Sequence, residues 1–161
     1  MLHEDVEQFG NFLFTLEWLL EVSARYDSNI HFHLVHVDFG SPHILGETYG
    51  AQAASLKLHE VQDALGQTLR KTDLVARHGV DFWIIMPSDP SIDPLSTRLR
   101  EIIEVASQCG LETVGRDISF FSLKQGHPEL GLNCSGMDFL AYLKHNHSRL
   151  ALHELELPAQ N

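Results

Sequence analysis

The sequence contains little cysteine: Cys109 and Cys134 are its only two, and they form no Cys-x-x-Cys pair. Small secreted domains depend on several disulfides, and cysteine zinc sites need paired thiols at short spacing. The cysteine content therefore excludes both and indicates a reducing compartment. No histidine or other base stands beside Cys109 in the sequence, which argues against a nucleophilic role.

Positive charge is also scarce, because 11 Lys and Arg residues face 22 Asp and Glu residues and give a formal net charge of −11. Nucleic-acid backbones and anionic membrane surfaces bind basic faces, so neither is an expected partner. No apolar run approaches the roughly 20 residues that cross a bilayer. The acidic residues 1–5 lack the basic and apolar regions of a signal peptide. We therefore expect a cytoplasmic protein.

The remaining composition is typical of one folded domain. Hydrophobic residues make up 43% and charged residues 20% of the 161-residue chain, as in ordinary soluble domains of this size. We expect a single domain over residues 1–156 and a flexible tail at residues 157–161.

Hydrophobic periodicity predicts a mixture of helices and strands. Helical spacing predicts helices at 4–25, 51–70, between Asp93-Pro94 and Gly110, and from Ser135 to about Lys144. Alternation and short apolar runs predict strands at 30–38, 74–76, 83–86, within 112–122 and at 150–156. Gly79 supplies the turn of a predicted hairpin. This order fits an α+β or α/β domain with helices on one or both faces of the sheet, and periodicity does not decide between them.

The first predicted helix carries more apolar surface than one face needs. Its expected buried stripe consists of Val6, Phe9, Leu13, Leu16 and Leu20. Three aromatic residues, Phe12, Phe14 and Trp18, lie beyond that stripe. They indicate either a partner face or dimer seam, or a helix covered on several sides by its own domain. Trp18 and Trp83 are interpreted as packing residues rather than stacking platforms.

Residues 69–87 read Leu-Arg-Lys-Thr-Asp-Leu-Val-Ala-Arg-His-Gly-Val-Asp-Phe-Trp-Ile-Ile-Met-Pro. This stretch resembles the signature of GGDEF domains, the diguanylate cyclases of bacterial cyclic di-GMP signalling. That family reads Leu-Arg-x-x-Asp, then apolar residues, then Arg-Tyr-Gly-Gly-Asp-Glu-Phe before an apolar strand ending in Pro. Weaker similarity extends over roughly residues 5–150. The resemblance implies an α+β, nucleotide-cyclase palm-like fold, with a central, mainly antiparallel sheet flanked by helices.

The resemblance assigns the two metal-holding carboxylates of such a cyclase to Asp38 and Asp81. Hard cations such as Mg²⁺ prefer carboxylate oxygens, so Mg²⁺ is the cofactor that this pair implies. In the turn Gly79-Val80-Asp81-Phe82, however, Val80 replaces the family's second glycine and Phe82 stands where the family has Glu. Alternatively, the turn is one residue shorter than the family's, which would also move the site. A β-branched side chain obstructs the close backbone approach that glycine allows.

Other positions of the cyclase pattern are also altered. Gly46 and Ser55 stand where the family's guanine-contacting Asn and Asp belong, so the guanine edge loses hydrogen-bond partners. The segment around Lys144 only loosely resembles the family's Leu-Tyr-x-Ala-Lys. We therefore expect a degenerate member with a vestigial turn, no catalytic residues, no required cofactor and weak Mg²⁺ binding. The alternative is a residual Mg²⁺-dependent diguanylate cyclase that makes cyclic di-GMP from GTP.

Arg70 and Asp73 match the family's inhibitory-site motif, Arg-x-x-Asp, which binds cyclic di-GMP. Residues three apart at a helix end lie on one side. An arginine fork suits phosphate or the guanine edge, and a carboxylate accepts from guanine N–H groups. Arg98 and Arg100 on the next helix would add a second cation. The competing interpretation is an ordinary surface ion pair between Arg70 and Asp73.

The sequence thus predicts a non-catalytic signalling module that binds cyclic di-GMP. A ligand-free protein-interaction or homodimerisation module is the alternative. Two histidine groups carry weaker hypotheses. His31 and His33 share one strand face at a spacing that metal ligands use, but no partner is placed beside them, so polar strand positions are favoured. His145 and His147 suit the negative end of a helix dipole.

Overall fold

A computed structural model describes residues 3–26, 31–40, 42–88, 97–98, 100–102, 104, 116–123 and 135–157. Its elements in chain order are α1 (His3–Arg25), β1 (His31–Asp38), α2 (Pro42–Tyr49), α3 (Ala51–Thr68), β2 (Leu74–His78), β3 (Asp81–Ser88), β4 (Arg116–Ser122), α4 (Gly136–His145), α5 (His147–Leu150) and β5 (His153–Leu157). The described residues among 97–104 are also helical. The predicted helix boundaries at 93–94 and 110, both cysteines and residues 158–161 lie outside the described residues.

The five strands form one sheet in the order β2-β3-β1-β4-β5, and every neighbouring pair is antiparallel. This confirms the predicted α+β fold with a central antiparallel sheet. β1 lies in the middle because it is buried on both faces along residues 33–37.

Each face of the sheet has its own hydrophobic core, because successive strand side chains point to opposite faces. One core lies under α1 and α4 and contains Phe9, Leu16, Leu34, Trp83, Phe121 and Leu143 among others. The other core lies under α2 and α3 and contains Val35, Leu58, Leu65, Phe82, Ile84, Ile102 and Phe120 among others. The sheet edge that carries the turn after β2 lies between these two cores.

The buried stripe of α1 is rotated relative to the prediction. Phe12 is only 3% exposed, which agrees with the alternative of a helix covered on more than one side at that residue, and Val6 is 55% exposed although it was predicted to be buried. Phe14 and Trp18 are 73% and 59% exposed. The packing interpretation is therefore confirmed for Trp83, which is 3% exposed, and wrong for Trp18.

The strand boundaries also differ from the predicted ones. β2 and β3 reach the turn directly, so the predicted six-residue turn contracts to Gly79 and Val80, and Pro87 lies inside β3. α2 was not predicted, because Pro42 reads as a chain breaker although proline is favoured at the first position of a helix. None of the described helices is long and apolar enough to span a bilayer.

Candidate functional site

A row of ionisable side chains crosses the sheet at the edge where β2 ends and β3 begins. The strand register pairs His78 with Asp81, Asp81 with Asp38, Asp38 with Asp117, and Asp117 with Glu156. Directly paired residues of antiparallel strands point to the same face. One residue from each of the five strands therefore contributes to a continuous row of polar side chains on the α1 and α4 side of the sheet. We call this row, His78, Asp81, Asp38, Asp117 and Glu156, the acidic edge.

The structure brings Asp38 and Asp81 together, as the sequence predicted. It adds His36, which lies two residues before Asp38 in β1 and so on the same face. Ligand atoms of His36, Asp38 and Asp81 lie within 4.8 Å of one another. The His36 ring stacks on the Trp83 ring at 4.1 Å between centroids, which fixes the orientation of the imidazole.

Both carboxylate oxygens of Asp81 already have partners. Nε2 of His36 lies 2.8 Å from Oδ1, and Nζ of Lys144 donates to Oδ2 at 3.0 Å. Burial raises the pKa of the Asp81 carboxyl, but the hydrogen bonds and charges of His36 and Lys144 outweigh burial and hold the pKa below its usual value. Asp81 is therefore a stabilised carboxylate with an internal ammonium partner from α4.

This donor set fits Mg²⁺ poorly. Mg²⁺ demands near-octahedral oxygen ligands, whereas the cluster offers one imidazole and two carboxylates, one of which is held by an ammonium group. Oδ1 of Asp38 also accepts a hydrogen bond from the Gly40 backbone N–H at 2.8 Å. The residues are close enough to form a metal site, but a bound cation would have to compete with Lys144.

Asp117 extends the acidic character of the edge towards β5. Burial, and then the neighbouring charges of Glu156 and Asp38, raise the pKa of the Asp117 carboxyl above its usual value. The pKa values of the two carboxyls are therefore shifted in opposite directions. Asp81 has cationic partners that lower its pKa, whereas Asp117 is partly buried and has mainly anionic neighbours that raise its pKa.

The turn predicted to be vestigial is a tight two-residue hairpin loop. Gly79 has a φ of +64°, whereas Val80 has a negative φ, which is the sign pattern of a type II′ turn. Val80 is 7% exposed and Phe82 0% exposed, and both belong to the core under α2 and α3. Phe82 packs edge-to-face on Phe39, with ring centroids 5.7 Å apart. At residue 82 the side chain therefore contacts hydrocarbon and not the polar edge.

The Arg-x-x-Asp residues occupy different environments. Arg70 is exposed, whereas the Asp73 side chain is fully buried at 0% exposure. Oδ2 of Asp73 accepts from the Arg70 backbone N–H at 2.9 Å and from Nη2 of Arg98. Nη1 of Arg98 lies 3.3 Å from Oε2 of Glu101. The sequence placed Arg98 near this motif but did not predict that it would form a buried ion pair with Asp73.

The other predicted site residues differ in exposure and position. Ser55 and Arg100 are exposed and Gly46 is half-buried. His33 is 7% exposed, and burial together with the charge of His31 lowers its pKa. Within the described part of the chain, His36, Asp38 and Asp81 form the one group of three or more metal-ligating side chains, and it includes neither His31 nor His33. His145 and His147 lie at the end of α4 and the start of α5.

Comparison with solved structures identifies the fold. The chain is similar to the GGDEF domain of DgcB from Caulobacter crescentus in complex with c-di-GMP, with 20% identity and a TM-score of 0.55 over 87% of this chain and 82% of that one. It is also similar to the GGDEF domain of PA1120 (YfiN or TpbB) from Pseudomonas aeruginosa, with 14% identity and a TM-score of 0.56 over 88% and 90% of the two chains.

A third similar structure is the diguanylate cyclase SiaD in complex with its activator SiaC, from Pseudomonas aeruginosa. It shares 16% identity and a TM-score of 0.55 over 86% of this chain and 54% of that one. No protein-family model and no curated protein matches the sequence at a significant level. At these identities the comparisons establish a GGDEF-domain fold across most of the chain.

Proposed function

We propose that this domain, which has the fold of GGDEF domains, is a non-catalytic signalling module and not a diguanylate cyclase. The proposal rests on one observation: both carboxylate oxygens of Asp81 already have partners, one in His36 and the other in Lys144. A cyclase needs its carboxylates to hold a divalent metal on the phosphates of GTP. Here an ammonium group and an imidazole already bind the carboxylate that would do so.

The residues of the turn support the same proposal. A carboxylate at residue 82 would be the family's second acid, and this chain has a fully buried phenylalanine there. Val80 directs an apolar side chain into the core next to the same turn. Positioning accounts for a large share of an enzymatic rate, so a turn without its acid and its second glycine is poorly suited to phosphoryl transfer.

The test is incubation of the purified chain with GTP and either Mg²⁺ or Mn²⁺, followed by chromatography for cyclic dinucleotide. An active GGDEF cyclase assayed in parallel is the positive control. We expect no product from the wild type and none from Lys144→Met, since removal of the ammonium does not restore an acid at residue 82. Synthesis of cyclic di-GMP by the wild type would overturn the proposal.

Recognition of cyclic di-GMP is a second candidate function, favoured by the convergence of Arg98 on Asp73 beside the exposed Arg70. The DgcB domain was crystallised with c-di-GMP. In this chain Arg70 and Arg100 are exposed cations for the ligand's phosphates and guanine edges. The buried Asp73–Arg98 pair would position the loop that carries Arg70.

Titration calorimetry with cyclic di-GMP tests this second candidate. We expect saturable heat from the wild type and a loss of at least about tenfold in affinity for Arg70→Ala, since a charge-assisted fork is removed. Lys71→Ala is the matched control, because it removes an exposed cation one residue away. No heat with the wild type, or equal losses in both variants, eliminates cyclic di-GMP as the ligand.

If the domain binds no nucleotide, its proposed role is protein interaction through the exposed face of α1. Val6, Phe14 and Trp18 lie at intervals of four or eight residues along α1 and are each more than half exposed. Light scattering tests self-association through this face. We expect an oligomer that Trp18→Ser disperses and that Leu56→Ser, an equally exposed position on α3, leaves intact. A monodisperse wild-type monomer removes the homodimer version.

A further inference from the structure

A polar cavity of about 370 Å³ lies between α1, α3 and β2, away from the acidic edge of the sheet. Its volume falls at the lower end of the roughly 300–1,000 Å³ typical of small-molecule sites. Six of its lining residues are polar, namely Gln8, His59, Gln62, Asp63, Gln67 and Asp73. Ligand pockets are usually apolar with a few polar groups, so this lining indicates a strongly polar occupant.

Three of the lining side chains carry a buried polar atom that has no hydrogen-bond partner among the described residues. These atoms are Nδ1 of His59, Oε1 of Gln62 and Oδ1 of Asp73. Gln62 and Asp73 are each 8% exposed when backbone and side chain are counted together. Buried polar atoms in folded proteins nearly always have a partner, so three such atoms around one cavity mark it as a place that suits a polar molecule.

Two of these side chains are held in place through their other polar atom. Nε2 of Gln62 donates to Oε1 of Gln8 at 2.7 Å, and Oδ2 of Asp73 accepts from Arg98 and from the Arg70 backbone. Nε2 of His59 lies 3.6 Å from Oδ2 of Asp63, which is longer than a hydrogen bond. Oε1 of Gln62 and Oδ1 of Asp73 are therefore acceptors on oriented side chains.

The charge of the lining selects the sign of the occupant. Asp63 and Asp73 are carboxylates, and no lysine or arginine is among the described residues that line the cavity. Of these two lining carboxylates, Arg98 forms an ion pair with Asp73. Acceptors together with excess negative charge favour a cation that bears N–H donors and disfavour a phosphate. This chemistry is opposite to that expected of a dinucleotide ligand at Arg70, and Asp73 is the residue common to the cavity and the Arg-x-x-Asp motif.

We propose that this cavity is a binding site for a small organic cation that carries amine or guanidine N–H groups. The cation donates to the acceptors of Gln62 and Asp73, and Asp63 supplies a further negative charge in the lining. Gly66 of α3 also lines the cavity, and a side chain added there would meet no atom within 4 Å of its Cβ. A larger residue at 66 can therefore enter open space without displacing the helix.

Calorimetric titration of the full chain with agmatine and with putrescine tests the proposal, and uncharged 1,4-butanediol is the ligand control. We expect saturable binding of at least one amine and none of the diol. Gly66→Leu is expected to weaken amine binding by at least about tenfold, whereas Gly46→Leu, a helix glycine with equally open surroundings on α2, is expected to leave it unchanged.

A second pair of variants separates local charge from general charge. Asp63→Asn is expected to weaken amine binding about two- to fivefold, which corresponds to the loss of one partly exposed charge pair. Glu60→Gln removes a carboxylate from an exposed position of the same helix and is expected to change affinity less. Circular dichroism confirms that each variant is folded.

Three results would overturn the proposal. They are the absence of saturable heat with both amines up to about 10 mM, binding of the diol equal to that of the amines, and amine binding that Gly66→Leu leaves unchanged. None of these results bears on GTP turnover or on cyclic di-GMP, because neither of those tests uses these variants.

Discussion

The buried ion pair between Asp73 and Arg98 supports a prediction about stability. The Asp73 side chain is 0% and the Arg98 side chain 2% exposed. Asp73→Ala leaves the guanidinium of Arg98 buried, with the half-exposed Glu101 at 3.3 Å as its remaining carboxylate neighbour among the described residues. Arg98→Leu leaves the carboxylate of Asp73 buried, with the Arg70 backbone N–H still donating to it at 2.9 Å.

Removal of one member of a buried pair costs about 3–5 kcal/mol, because the remaining charge has lost water without gaining a counter-ion. Domains of this kind unfold with about 5–15 kcal/mol, so each single substitution should remove a large fraction of the stability. The double variant Asp73→Ala with Arg98→Leu leaves neither charge of this pair buried. Its loss of stability should be smaller than that of either single variant.

Urea unfolding followed by Trp fluorescence measures these changes. With a slope of about 2 kcal/mol per molar urea, each single variant should lower the midpoint by about 1.5–2.5 M. The double-mutant cycle then isolates the coupling between the two side chains. Single variants that each lose less than about 1 kcal/mol, the range of exposed pairs, would refute the assignment of Asp73 as a structural residue.

Three further predictions concern the hairpin turn and the acidic edge. Gly79→Ala should lower the free energy of unfolding by about 1–2 kcal/mol, since φ is +64° there. Gly66→Ala in α3 should instead raise the free energy of unfolding by up to about 1 kcal/mol. Urea unfolding of both variants measures these two changes, which are expected to have opposite signs. Because the folded pKa of Asp81 is depressed, its contribution to stability is complete above about pH 3.9 and is lost as the pH falls through the lower folded value. Carboxyl NMR should show the Asp81 pKa rising in Lys144→Met, and an unchanged pKa would contradict the ion pair. Phe82→Glu, which introduces the family's acid, should destabilise the chain by at least about 3 kcal/mol in thermal or urea unfolding, because residue 82 is 0% exposed; a stable variant with measurable cyclase activity would show that the site is intact apart from that residue.

Local sequence preferences predicted much of the fold. Gly79 between two apolar runs indicated the hairpin turn, Ser135 indicated the start of α4, and its hydroxyl accepts from the Asp138 backbone N–H. The resemblance to GGDEF domains led to the antiparallel sheet and to the assignment of Asp38 and Asp81 to one site, and the structure places their carboxylates in one cluster. These features depend on residues close together in the chain or on a short motif.

The prediction of α1 shows where periodicity becomes insufficient. Helical spacing allowed either Val6 or Phe12 to lie on the buried side, and the structure exposes Val6 and buries Phe12. The choice is made by the sheet and by α4, which pack against α1 and fix its rotation about its own axis. α2 was missed for a different reason, since Pro42 marks both helix starts and chain breaks.

From the sequence alone came the fold class, the hairpin turn and two of the three aspartates of the acidic edge, Asp38 and Asp81. Tertiary structure alone decided what those residues contact: Lys144 reaches Asp81 across 63 positions and Arg98 reaches Asp73 across 25. The physical reason is that turn and cap preferences arise within a few residues, whereas an ion pair depends on strand register and helix rotation. Those in turn are set by the packing of the two cores, which no short stretch of sequence contains.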